Sequence, residues 1–113
     1  MSPRSTDQRL EDILAAIQSI EDHQLRGQVL GLSPDEPLLL DAVVRQLAVI
    51  GEAASHLPAN VTDRHPDIPW RGVSGMPLLL DHEYHRTDSD IVWRTVREEL
   101  PPLREAIRAE VDR

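Results

Sequence analysis

The sequence predicts an all-α fold, most simply an antiparallel bundle of four or five helices. Three observations predict it. Apolar residues recur at three- and four-residue steps in several separate stretches, residues that start or stop helices stand at the ends of those stretches, and no segment alternates polar and apolar with the period of a strand. No internal repeat breaks the chain into units, and 113 residues suffice for one core but not two. A single domain over 1–113 is expected, with loose ends at 1–6 and 110–113.

The first helix follows from Leu10, Ile13, Leu14, Ile17 and Ile20, with Asp7 as its expected cap and about Gln24 as its end. Arg26 to Pro37 holds two glycines, two prolines and a Ser-Pro step, and reads as a connection. The second helix carries a continuous stripe, Leu40, Val43, Val44, Leu47, Ile50, Ala54 and Leu57, which Pro58 terminates. Arg45 and Glu52 lie seven residues apart and so share a face. Gly51 costs about 1 kcal/mol relative to alanine inside a helix, which points to a close helix crossing there.

Residues 60–69 form a polar connection with room for one helical turn. Trp70 opens a third helix through Val73, Met76, Leu79 and Leu80, but Pro77 offers no backbone donor and crowds the carbonyl four residues earlier. A kink or restart is therefore expected at Gly75-Met76-Pro77. Asp88 is placed to cap a fourth segment with Ile91, Val92, Val96 and Leu100, and Pro101 or Pro102 to begin a last helix, where a first turn tolerates the fixed dihedral.

Composition removes several chemistries. There is no cysteine, hence no disulfide, thiolate site or cysteine nucleophile. All 12 basic residues are arginine, which excludes Schiff-base and P-loop lysines. A formal charge of −8 argues against broad electrostatic binding of nucleic acid. Arg94, Arg97, Arg104 and Arg108 are interleaved with Glu98, Glu99, Glu105 and Glu110, as on a solvated face with helix-spaced ion pairs. No apolar run is long enough to span a membrane and no leader-like segment opens the chain, so a cytoplasmic location is expected. With phenylalanine absent, Trp70 and Trp93 are read as core anchors rather than as platforms for stacked bases. The Leu38-Leu39-Leu40 run exceeds what one helix face needs and is a candidate contact for a second subunit.

Chemistry concentrates in Asp81-His82-Glu83-Tyr84-His85, where two histidines, two carboxylates and the only tyrosine fall together. Histidine titrates near neutrality and can give or take a proton. His82 and His85, with Asp81 or Asp88, could also hold a metal, although such clusters commonly form without one; no metal and no cofactor is expected.

Taken in order, Asp41-Ala42-Val43-Val44-Arg45-Gln46-Leu47-Ala48-Val49-Ile50-Gly51-Glu52-Ala53-Ala54, His65-Pro66-Asp67-Ile68-Pro69-Trp70-Arg71, Gly75-Met76, His82-Glu83-Tyr84, Ile91-Val92-Trp93 and Leu100-Pro101 resemble the HepT-like branch of the HEPN superfamily, from about Arg9 to Ile107. The resemblance implies a HEPN-like helical homodimer, the toxin of a type VII-like toxin–antitoxin pair whose antitoxin is a minimal nucleotidyltransferase. It also implies a metal-independent ribonuclease with the motif R-x-x-x-x-H-x-Y and RNA as substrate. His82 and Tyr84 match the motif, His82 as the catalytic histidine and Tyr84 as a catalytic-motif residue and the acceptor of AMP from the antitoxin.

Pro77 stands where the motif has arginine. Metal-free RNA cleavage needs a base for the 2′-hydroxyl, an acid for the leaving oxygen and a cation against the phosphorane. Loss of one such electrostatic group costs on the order of 10² to 10³ in rate. Arg45 or Arg86 could replace the cation, while Asp81 and Glu83 would favour the protonated histidine and repel phosphate. The alternative reading is a catalytically inactive helical dimer that serves as a binding module for the nucleotidyltransferase.

Overall fold

A computed structural model describes residues 3–76 and 88–113, and every described element is helical. The fold is all-α and HEPN-like, as expected. Helix α1 spans Thr6–Val29, α2 Pro37–Ser55, α3 Ala59–Thr62, α4 Trp70–Ser74, α5 Ser89–Arg94 and α6 Leu100–Val111, with a π-helical turn at Thr95–Glu99 joining the last two.

Helix α1 starts on Ser5 rather than on Asp7. The Ser5 hydroxyl accepts the Gln8 amide at 3.1 Å, and the Gln8 side chain accepts the Ser5 amide at 2.7 Å, so the two residues satisfy each other's free donors. Its buried face is Leu10, Ile13, Ala16, Ile17 and Ile20. The helix runs past the expected end at Gln24 because Gly27 is no break there: a Cβ on it would lie 3.0 Å from the Leu39 Cδ2, so α2 crosses close over the glycine. Gly31, with φ +70°, ends the helix. The amide of Leu32 reaches the Gly27 carbonyl at 2.8 Å and that of Gly31 reaches Gln28 at 3.1 Å, a pair of bonds that closes a helix C-terminus.

Helix α2 begins with Pro37 in its first turn and buries Leu39, Leu40, Val43, Leu47, Ile50, Gly51, Ala53 and Ala54. Helices α1 and α2 lie side by side along most of their length, α6 closes over α1, and α4 and α5 rest on α2. The core they share is aliphatic, with Ile13, Ile20, Val43, Ile50, Leu103 and Ile107 fully enclosed. Trp70 and Trp93 pack against its edge, as their reading as anchors requires. Of the three-leucine run only Leu38 faces outward, 77% exposed; Leu39 and Leu40 are core residues, which corrects the expectation that the whole run is free for a partner.

Pro101 and Pro102 do open α6, yet they do not separate it from α5. Neither has an amide hydrogen, so the carbonyls of Arg97 and Glu98 lack the donors that α-helical geometry would supply. The chain widens by one residue instead, and the Leu100 amide bonds to the Thr95 carbonyl five residues back. The extra residue keeps Val92, Thr95, Leu100, Leu103 and Ile107 facing the core. Glu110, assigned by the sequence to a loose end, is a buried part of α6.

Candidate functional site

The motif positions Pro77, Asp81, His82, Glu83, Tyr84, His85 and Arg86 lie outside the described residues. The elements that lead into and out of them are described, and both are fixed to the bundle. On the entering side, α4 closes at Ser74 with Gly75 as its cap, and Val73 and Met76 are buried beneath it. The helix closes where an interruption is expected, at Gly75-Met76-Pro77, and Leu79 and Leu80 lie outside the described residues. The residue before a proline is disfavoured in helical conformation, and Pro77 has no amide to offer the Val73 carbonyl. The Trp70 indole N–H that starts α4 donates to the carbonyls of Thr62 (3.1 Å) and His65 (3.0 Å), which ties the helix to the 58–69 strap.

On the returning side, Asp88 caps α5: its Oδ1 accepts the amides of Asp90 at 3.0 Å and Ile91 at 3.3 Å. The Trp93 indole N–H donates to the Pro34 carbonyl at 2.9 Å, and the Ser89 hydroxyl donates to Asp35. The α1–α2 turn thus grips the first turn after the motif. Both indole N–H groups are committed to backbone carbonyls, and both rings pack against the core while partly exposed.

A second constellation escaped the sequence reading. Glu110 on α6, with its side chain 4% exposed, accepts from Arg64 Nε at 3.0 Å on Oε2 and 3.2 Å on Oε1, pairs with Arg64 Nη2, and is bonded by His65 Nε2 at 2.7 Å. The Arg64 hydrogen bond, aided by His65 and the nearby positive charge, draws the Glu110 carboxyl down to about 2 against the opposing effect of burial. The same bond raises the Arg64 guanidinium above its usual value. The signal was available: Leu103, Ile107 and Glu110 fall on one face of α6, and a carboxylate in a buried stripe requires a partner. Its partners, 46 and 45 residues earlier, carry no such mark.

Arg45 lines a shallow groove between α1 and α2 with Arg4, Arg9, Asp12 and Glu52, so Arg45 and Glu52 do share a face. Arg4 is engaged with both Asp12 oxygens at 2.7 Å, and Glu52 is bonded to His56 at 2.9 Å. Arg45 is exposed and ion-pairs with no carboxylate among the described residues. The arginine–glutamate interleaving near the C-terminus is satisfied in part as a solvated face: Arg97 lies 3.9 Å from Glu98, and Arg104 reaches across to Glu21 on α1. Among the described residues no three histidine or acidic side chains converge on one point as a metal site would require, and no helix is long and apolar enough to cross a membrane.

Comparison with known proteins places this geometry in a family. A family model described as "Ribonuclease HepT-like" matches residues 10–110. The chain is similar to the "Probable ribonuclease HepT" of Thermococcus cleftensis, 37% identical over 101 residues, which cover 89% of this chain and 91% of that protein. It is also similar to the "Putative RNase TTE0752" of Caldanaerobacter subterraneus subsp. tengcongensis, 37% identical over 73 residues, or 65% of each chain, just under two thirds of that relative's length. No solved structure matches. By the span of the family match and the identity held across nine tenths of a relative, the chain belongs to the HepT-like ribonuclease family.

Proposed function

We propose that this chain is a metal-independent RNA endonuclease of the HepT type, the toxin of a type VII-like toxin–antitoxin pair, working as a homodimer in the cytoplasm. The observation that carries the reading is a family match running through nearly the whole domain together with His82-x-Tyr84 at the family spacing. The relatives' names support RNA as the substrate.

In this mechanism one histidine takes the 2′-hydroxyl proton as that oxygen attacks the neighbouring phosphorus. A second histidine, His82 of the other copy, protonates the departing 5′-oxygen and leaves a cyclic phosphate. The displaced cation falls to Arg45 or Arg86, since a guanidinium stays charged and binds two phosphate oxygens at once. Tyr84 is the hydroxyl that a minimal nucleotidyltransferase would join to AMP, and a negative phosphoryl group beside His82 would repel RNA.

One observation favours a second reading. Pro77 in the arginine position removes a cation at the motif itself, which fits a disarmed helical dimer whose remaining work is to bind the nucleotidyltransferase.

Cleavage of a mixed RNA pool in EDTA separates the two. The first reading expects cleavage by the parent that falls at least about 100-fold in His82→Ala. An inert parent that gains cleavage through Pro77→Arg would establish the second. Incubation with ATP and the nucleotidyltransferase should add one AMP to the parent and none to Tyr84→Phe.

A further inference from the structure

All permanent positive side-chain charge sits on 12 arginines, so the places where they stand without a carboxylate decide where an anion can be held. The cleft beside Trp93, the groove beside Pro66 and Pro102 and the hollow at Ile17 and Ile20 each hold an arginine already paired: Arg97 with Glu98, Arg64 with Glu110 and Arg104 with Glu21. The groove between α1 and α2 differs. Both acidic side chains in its lining are occupied, Asp12 by Arg4 at 2.7 Å on each oxygen and Glu52 by His56 at 2.9 Å. Arg9 from α1 and Arg45 from α2 line the same groove. Neither has a carboxylate within ion-pair distance among the described residues, Asp41 one turn before Arg45 included.

Arg9 is half-buried, and the desolvation of a charge is ordinarily offset by a partner. It also stands at the end of the first turn of the 24-residue α1, where the backbone dipole favours an anion and opposes a cation. A bound anion relieves both costs. The rest of the lining is Ala48, Val49 and Ala53, short apolar side chains around a hollow of about 370 Å³. A phosphodiester suits such a place: its two free oxygens accept from a guanidinium fork in pairs, and its ribose can rest on the apolar floor. Two guanidinium groups match a stretch of single strand rather than the denser phosphate lattice of a duplex.

We infer that the α1–α2 groove is a phosphate-binding subsite for single-stranded RNA, with Arg9 and Arg45 holding the backbone. The inference rests on the ribonuclease of the proposed function and adds where the strand lies. It also gives Arg45 a second cation to work with, one that the motif does not contain.

Fluorescence anisotropy of a labelled single-stranded oligoribonucleotide of mixed sequence, titrated with the full His82→Ala chain between 50 and 200 mM salt, tests it. In that background Arg9→Gln and Arg45→Gln should each weaken binding about 10-fold and make the log–log salt slope shallower by roughly 0.7, the value of one phosphate contact on a single strand. Arg45→Lys should keep the slope because it keeps the charge. Arg26→Gln and Arg108→Gln remove exposed arginines that also lack a carboxylate partner among the described residues but lie outside the groove. They should change affinity by less than about twofold, since charge away from the contact is screened. Arg9→Gln and Arg45→Gln chains that bind RNA as tightly as the His82→Ala chain, or controls that cost as much, overturn the groove while the ribonuclease reading stands. Variants that lose the nucleotidyltransferase and keep RNA overturn it in favour of a protein-docking surface. A chain that binds no single-stranded RNA overturns both the groove and the reading beneath it.

Discussion

Glu110 shows how one side chain can bind distant parts of the sequence. Its carboxyl lies near 2 when folded, against an ordinary 4.5, so it binds fewer protons in the native than in the unfolded chain. That contribution is fully present above about pH 4.5 and is lost as pH falls toward 2. Glu110→Gln should therefore cost about 2–3 kcal/mol at pH 7, and the difference from the parent should close between pH 4.5 and 2. Urea unfolding at pH 7, 4 and 2.5 measures it. A gap that stays constant across those three values would show that the Arg64–His65–Glu110 cluster contributes nothing through charge.

At the level of elements, most of the fold was legible. The stripes of α1 and α2, the cap at Asp88 and the proline start of α6 follow from local spacing, and their physics is local. The departures have physical causes of other kinds. Ser5 outcompetes Asp7 as cap because Gln8, three residues on, returns the hydrogen bond, a pattern the sequence does contain. Gly27 stays helical because Leu39 needs the space above it, which no local rule foresees. The proline pair widens one helix rather than dividing two, since only the core register decides between those outcomes. Asp88 is the element-scale test of the motif's surroundings: Asp88→Ala removes two capping bonds and should cost about 1 kcal/mol, whereas Asp88→Asn should retain most of it. Paired thermal melts read both, and an alanine variant as stable as the parent would show that α5 holds its start without the cap.

For the molecule as a whole, charge sets the terms of any encounter with RNA. At −8 overall, with 20 acidic side chains against 12 arginines and Arg4, Arg64 and Arg104 already committed to carboxylates, the net field repels phosphate and little counterion release is expected. Binding of single-stranded RNA by His82→Ala should thus fall only shallowly with salt, by a slope no steeper than about −2 in log–log form, given roughly 0.7 per neutralised phosphate. Fluorescence anisotropy between 50 and 200 mM salt reads the slope, and a much steeper one would reveal a basic track. The candidate site is legible only as a motif, since its residues lie outside those the structure describes. His82, Tyr84 and the proline at 77 could be read as letters of a motif, but what fixes their neighbourhood, the Trp70 and Trp93 indoles on backbone carbonyls and Asp35 under Ser89, joins residues as far as 59 positions apart.

That grip of the α1–α2 turn on α5 bears on how such a chain can change over generations. Surface turns ordinarily accept inserted or deleted residues with little harm. Here Pro34 and Asp35 hold Trp93 and Ser89, so a change of length at 33–36 would pull on α5 directly. If the proposed ribonuclease function holds, drift in that turn is constrained by chemistry in which none of its own side chains takes part.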